Sequence, residues 1–427
     1  MESIAYWIAT GFFLGESSFY SNKIIEDNKN NKSWEWHHSP RNLTLDQCVS
    51  EFGELLEDLV KTDTKGKKII LPLSGGLDSR TLAAALKNVK DIVVISYEFD
   101  NGISETKYAE KLAKIYNWEF HRYKIPKSYL WSKIGQISSI NECKTEFTHP
   151  RQAAVIDEIT KHGNIILSGL WGDVLFDNAD IKDNVSKTHQ TDFILNNISK
   201  IGGVELANDL WNHWNLENSF DENFFMEVYK MLDIINIENP KSKFRAFKSL
   251  FWATSWSSTN LKFFNNNIET STPYLNDKMF DFVCTVPEKF LSKRIIQIEY
   301  IKRNAPELAK IEWQEYELDL YKYKYFNSIY YPRRIYQFAK RSIMQRFYNH
   351  KPKILRNWEL QFLGSKNNQN LKDWLFGNYD FLKFVPEEIV KDYYYRFKNN
   401  DPVKYSHPIS MLLTLSVFIR LFHLKGE

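Results

Sequence analysis

Residues 68–80 read KIILPLSGGLDSR. An apolar, partly β-branched run from Lys68 to Leu73 meets Ser74-Gly75-Gly76-Leu77-Asp78-Ser79, and the helix-forming run Thr81–Leu86 follows at once. That order predicts a strand, a tight glycine turn and a helix N-terminus. Gly75 and Gly76 let the backbone come close to an anion, and the helix start adds unpaired N–H groups and the positive end of a dipole. Ser74 and Ser79 add hydroxyls. Asp78 is the odd member, because a carboxylate in a phosphate cradle repels its ligand unless a divalent cation lies between them. The motif therefore implies Mg²⁺–ATP with its pyrophosphate part in the loop. It lacks the Gly-Lys-Ser/Thr ending of a Walker loop, so a kinase or GTPase is not indicated.

The surroundings extend this pattern. Thr44-Leu45-Asp46-Gln47 reads as a capping box, and Val49, Phe52, Leu55, Leu56, Leu59 and Val60 recur behind it at helical spacing. DIVVISYEF (91–99) reads as a buried strand, SETKYAEKLAKIYN (104–117) as an amphipathic helix, EFHRYKI (119–125) as a strand and ILSG (166–169) as a strand end. Strands alternating with helices predict a doubly wound parallel sheet. Ligands of such sheets sit at the carboxyl ends of the strands, where Ser74, Phe99 and Ser168 emerge. Residues 178–192 are polar and read as a surface loop, and from Asn197 the pattern turns mainly helical. The segment YKYKYFNSIYYPRR (321–334) interleaves basic and aromatic residues. That pattern suits single-stranded nucleic acid, but it suits amphipathic helices packing Tyr and Phe inward better.

Composition narrows the class. With 56 basic and 53 acidic side chains, the net charge of +3 implies no nucleic-acid partner. Cys48, Cys143 and Cys284 are scattered without CxxC spacing, as in reduced cytoplasmic proteins. The N-terminal apolar stretch has no basic lead and an early Glu2, which argues against a signal peptide. The longest apolar run, Ile409–Ile419, is too short to span a bilayer and reads as a buried helix.

The SGGLDS turn resembles the PP-loop of ATP pyrophosphatases, which cleave ATP between its α and β phosphates. Two further segments extend the resemblance to the synthetase domain of asparagine synthetase and its relatives. LSGLWGDVLFDN (167–178) is similar to the family's Ser-Gly-Glu-Gly-Ala-Asp-Glu-Leu-Phe-Gly-Gly segment. IETSTPYLNDKMFDFVCTVPEKF (268–290) is similar to its Leu-Glu-Val-Arg-x-Pro-Phe-Leu-Asp segment and the apolar helix and Pro-containing turn that follow. The resemblance covers roughly residues 45–315. It implies an α/β fold: a doubly wound, mainly parallel five-stranded sheet carrying the PP-loop, with a helical C-terminal extension. The expected division is a lead-in segment (1–66), the ATP-binding domain (67–315) and a helical, aromatic-rich region (316–427).

By resemblance, Leu73, Ser74, Gly75, Gly76, Asp78 and Ser79 hold the phosphates, and Phe99 makes a backbone contact to the adenosine. Ser168 and Gly169 close over the nucleotide, and Asp78 and Asp173 bind Mg²⁺. Asp173 also reads as a solvated loop aspartate or helix cap, and Glu105 as a site acid or simply a helix-start acid. The implied chemistry is attack of a substrate carboxylate on the α-phosphate of ATP, then displacement of AMP from the acyl-adenylate by an amine. A family lysine precedes a Pro by a set interval, and counting back from Pro306 lands on Arg294 with Lys293 beside it. Either supplies the catalytic positive charge on this reading, and a surface basic pair capping a helix is the competing one.

Departures from the family matter too. Leu170 stands where the family has an acid that handles the amine, and Trp171 replaces the Gly after it; Ser271 and Asn276 replace an Arg and an Asp. Leu170-Trp171 implies either a different acceptor pocket or packing. Glutamine-dependent members begin with a catalytic cysteine after Met1, whereas residue 2 here is Glu. The expectation is an ATP-dependent amide-forming ligase without its own glutaminase. Its amine would come from ammonia, from a separate glutaminase, or from the substrate itself, as in the related β-lactam synthetases and lasso-peptide cyclases. Expected partners are a carboxylate-bearing small molecule or a precursor peptide. The competing reading is a degenerate ATP-binding scaffold or regulatory relative.

Overall fold

In the computed structural model the described residues are 1–15, 19, 35–99, 105–147, 150–177, 180–325, 328–329, 332, 335 and 359–422. Five parallel strands form one sheet in the order β3-β2-β1-β4-β5, with β1 Ile69–Pro72, β2 Ile92–Phe99, β3 Glu119–Ile125, β4 Ile165–Leu167 and β5 Glu269–Ser271. The helices that position the site are α1 Glu2–Thr10, α2 Leu45–Thr64, α3 Leu77–Ala85, α4 Thr106–Ile115 and α5 Tyr129–Asn141.

The alternation of apolar side chains along the central strands sorts them onto two faces. Ile69 and Leu71 join Ile92 and Val94 in a core covered by α2, α3 and α4, while Ile70, Val93, Ile95 and Ile166 face Val155, Ile156, Ile159 and Phe264 on the other side. The chain runs β1-α3-β2-α4-β3 in one direction and then crosses to β4 on the far side of β1. Strand order therefore reverses between β1 and β4, which opens a crevice beyond their carboxyl ends. Both the glycine turn after β1 and Ser168-Gly169 after β4 border that crevice.

A second, larger core is helical. It joins α1, residues 194–247 and the helix Ser406–Phe422. His407 ties the two chain ends together, bonding Glu146 Oε2 at 2.7 Å and the Ile8 carbonyl at 2.9 Å. The run 409–419 is buried within this core, as its pattern implies. Among the described residues no helix is long and apolar enough to cross a membrane.

The capping box forms as read: Thr44 Oγ1 accepts from Gln47 N at 3.2 Å, and the Thr44 N–H donates to Gln47 Oε1 at 2.9 Å. One boundary differs. Residues 187–192, expected within a polar surface loop, open the helix Lys187–Ile198, because Ser186 Oγ accepts from the His189 N–H and caps its first turn. Of the 321–334 segment, much of which lies outside the described residues, Tyr323 packs inward on Trp313 and Tyr316 while Tyr321 and Tyr325 are exposed.

Candidate functional site

The glycine turn folds onto itself through its own hydroxyls. The Ser74 N–H donates to Ser79 Oγ at 3.2 Å, and the Gly76 N–H donates to Ser74 Oγ at 3.2 Å. Gly76 occupies the N-cap of α3 and supplies no side chain to satisfy the first turn, so that turn's N–H groups remain available to an anion. Beside the turn lies a cavity of about 250 Å³. Leu73, Ser74, Gly76, Asp78, Ser79 and Gly169 line it, as the sequence motif requires. A larger cleft of about 650 Å³, bordered by Lys372, Tyr394 and Tyr395, lies in the C-terminal helical region away from this turn.

Gly75 is covered rather than open to the cavity. Its carbonyl accepts from the Gln314 N–H at 3.2 Å, and a Cβ at Gly75 would lie 2.5 Å from the Gln314 side chain. Arg80 holds this cover in place. It is fully buried and donates to the carbonyls of Ile311 (2.8 Å), Glu312 (2.8 Å) and Gly75 (3.3 Å). Burial away from any carboxylate lowers its pKa to about 10.

Asp78 is the electrostatic centre. Its Oδ1 accepts from the Arg294 guanidinium and from Gln297 Nε2 at 3.0 Å. Arg294 Nε also donates to Gln297 Oε1 at 2.7 Å, and Gln297 Nε2 reaches the Tyr274 hydroxyl at 3.0 Å. Burial pushes the Asp78 carboxyl up to about 6; the Arg294 charge opposes that rise, and the nearby Asp173 carboxylate adds to it. Arg294 reaches this place from an uncommon backbone: Lys293 and Arg294 both have positive φ (54° and 60°), immediately before the helix Ile295–Asn304. The Arg294 N–H donates to the Phe176 carbonyl at 2.9 Å, joining this corner to the second motif segment. The neighbouring Lys293 is exposed.

The second segment passes over Asp78 at Gly172. A Cβ at Gly172 would collide with Asp78 Oδ1, so alanine, which the family pattern has here, would need the Asp78 carboxylate to shift. Asp173, next in sequence, begins exposed on the short helix Gly172–Phe176. Trp171 is buried and left-handed, with φ of 84°. Its indole N–H donates to Ser249 Oγ at 3.0 Å. That places Trp171 against a stretch of π-helix, Lys248–Ser257, a geometry frequent at functional sites. Lys248 heads the stretch with its ammonium 4.9 Å from the Trp252 ring centre. Burial lowers the Lys248 pKa, against the opposing charges of Asp173 and Asp177.

The structure thus brings the three segments together around Asp78. Ser168 lies beside them, its N–H donating to the Ser271 carbonyl at 2.8 Å. Phe99 ends β2 but is buried, with its ring 6.1 Å from that of Tyr129; its neighbours Ser96 and Tyr97 line the cavity instead. Glu105 lines the cavity too. Sequence reasoning missed Arg151, Gln297, Tyr274 and Lys248. Arg151 lines the cavity, and its Nε is buried with no hydrogen-bond partner among the described residues. Tyr274 sits within the third motif segment without being singled out there, and no local motif marks the other three, since each arrives from a separate element. Asn276, in the place of the family's Asp, caps the helix Asp277–Thr285 by accepting from the Lys278 N–H at 2.9 Å.

The family model described as asparagine synthase matches residues 51–307, more than half of the chain. No curated protein matches it.

Proposed function

This chain belongs to the asparagine synthase family of ATP-dependent, amide-forming ligases, and on that premise we propose that it activates a substrate carboxylate as an acyl-adenylate for attack by an amine. The observation that supports this most is the uncapped N-terminus of α3 behind SGGLDS, at the point where strand order reverses. A carboxylate oxygen attacks the α-phosphorus, the bond to the β-phosphate breaks and pyrophosphate leaves. The amine nitrogen then attacks the acyl carbon, AMP departs and the amine gives up a proton.

In this reading the N–H groups of α3 and the hydroxyls of Ser74 and Ser79 hold the phosphates, with Leu73, Gly76 and Gly169 lining the enclosure and Gly75 and Ser168 behind it. Asp78 and the nearby Asp173, whose charge raises the Asp78 pKa, form an oxygen donor set suited to Mg²⁺. When bound there, Mg²⁺ would neutralise charge on the phosphate oxygens. Arg294 is committed to Asp78 and acts as its positioning residue, while Arg151 provides a guanidinium turned to the nucleotide cavity. Trp171 and Lys248 form the acceptor-side wall. The proposed partners are a carboxylate-bearing small molecule or peptide and a separate source of amine.

The test is carboxylate-dependent exchange of labelled pyrophosphate into ATP by the purified protein with Mg²⁺. Formation of ADP in place of AMP would overturn the mechanism. The Asp78–Arg294 pair and Leu170 in the acid's place favour one competing reading, a scaffold that binds ATP without turnover. A scaffold would bind ATP normally and show no exchange with any carboxylate, and Asp173→Ala would leave its biological activity intact.

A further inference from the structure

We propose that Glu119, His121 and His162 form a binding site for a zinc-type divalent cation on the open edge of the sheet. β3 is an edge strand, and Glu119, His121 and Tyr123 alternate along it onto one face. A separate element, the single helical turn Thr160–His162 before β4, carries a second imidazole to that face. The His121 and His162 ring centres are 3.9 Å apart, and His121 Nε2 lies 2.6 Å from Glu119 Oε1. One donor atom from each of the three residues falls within 4.8 Å of the others, and among the described residues no other set of three His, Cys, Asp or Glu side chains does so.

The donor chemistry selects the ion. Two imidazoles and one carboxylate suit Zn²⁺ and its first-row neighbours, whereas Mg²⁺ and Ca²⁺ call for oxygen ligands. Zn–N bonds of about 2.0–2.1 Å draw such donors to within about 3.5 Å of one another. All three side chains are half-buried or exposed, which leaves them room to turn toward a shared ion. Tyr123 gives outer support, its hydroxyl 2.7 Å from His162 Nε2, the kind of contact that fixes the orientation of a ligating imidazole. Among the surrounding charges, Lys68 opposes a cation and Glu158 offsets it. A hydrogen-bonded pair by itself would explain Glu119 and His121 but not the stacked ring delivered from another element.

The site lies in the first half of β3, with His121 about 13 Å and Glu119 about 20 Å along the strand from its carboxyl end, where the nucleotide crevice opens. Its ion would therefore tie the 160–162 turn to the edge strand without touching the nucleotide. The test is calorimetric titration of the full-length protein with Zn²⁺ at pH 7.5, with ATP binding as the check on folding. The expected result is one Zn²⁺ lost at least tenfold in affinity in His121→Ala and in His162→Ala, weakened several-fold in Glu119→Gln, and accompanied by a rise in melting temperature in the unaltered protein alone. ATP binding should be unchanged in all three variants. Absence of Zn²⁺ binding, or equal affinity in the unaltered protein and His162→Ala, would overturn the proposal.

Discussion

The Arg294 guanidinium is paired with the Asp78 carboxylate, joining the start of the helix Ile295–Asn304 to the first turn of α3. Both groups are largely buried, with side-chain exposures of 9% and 23%. Breaking such a pair leaves one charge uncompensated, which costs more than the intact pair contributes. Arg294→Ala should therefore destabilise the fold by about 3 kcal/mol, read from urea unfolding. Lys293→Ala, at the exposed neighbour, should change stability by less than about 0.5 kcal/mol. Equal effects of the two substitutions would contradict this assignment.

The pH dependence follows from the same carboxyl. Its folded pKa, about 6, lies above the ordinary 3.8. Between those values the native state holds more of this proton than the unfolded chain. The stability this group contributes is thus fully present below about pH 4 and is lost as pH rises through about 6. Mg²⁺–ATP affinity should move the other way, strengthening from pH 5 to 7 as Asp78 ionises. Calorimetric titration across that range checks it, and an Asp78→Asn variant should lose the slope.

Gly172→Ala tests the close approach to Asp78. The added methyl must displace the carboxylate from Arg294 and Gln297. The expected outcome is at least a tenfold loss in pyrophosphate exchange with the circular dichroism spectrum preserved.

Trp171 combines an unfavourable backbone with favourable burial. A left-handed non-glycine residue costs about 1–3 kcal/mol, while removing a buried Trp side chain costs about 3–5 kcal/mol. Trp171→Gly should therefore be destabilising by a net of about 2 kcal/mol in chemical denaturation. If it stabilised the protein instead, backbone strain would outweigh the packing and the Ser249 hydrogen bond.

Arg151 lines the nucleotide cavity, and its buried Nε has no hydrogen-bond partner among the described residues. Arg151→Ala should raise the KM for ATP about tenfold, the equivalent of 1.4 kcal/mol, and leave the melting temperature within about 2 °C. A changed melting temperature with unchanged KM would make it a packing residue.

Much of this protein is legible along the chain. The strand–turn–helix at 68–86, the capping box at Thr44 and the strands at 91–99 and 119–125 declare themselves because turn chemistry, caps and hydrophobic period act over a few residues. Ser186 was the local signal passed over, a short cap inside a polar stretch. SGGLDS alone carries the proposed phosphate cradle, since glycine, hydroxyl and helix start are contiguous there. What surrounds the cradle was not readable. Asp78 is 216 positions from Arg294, Trp171 is 78 from Ser249 and Arg80 is 231 from the Ile311 carbonyl. Burial, like-charge neighbours and the space left for a Cβ depend on which segments the sheet order brings together. The sequence by itself determined the nucleotide loop and the alternation that builds the sheet. Only the tertiary structure decided that Asp78 is held by an arginine, that Gly75 is roofed by Gln314, and that the Trp171 indole is bonded to Ser249.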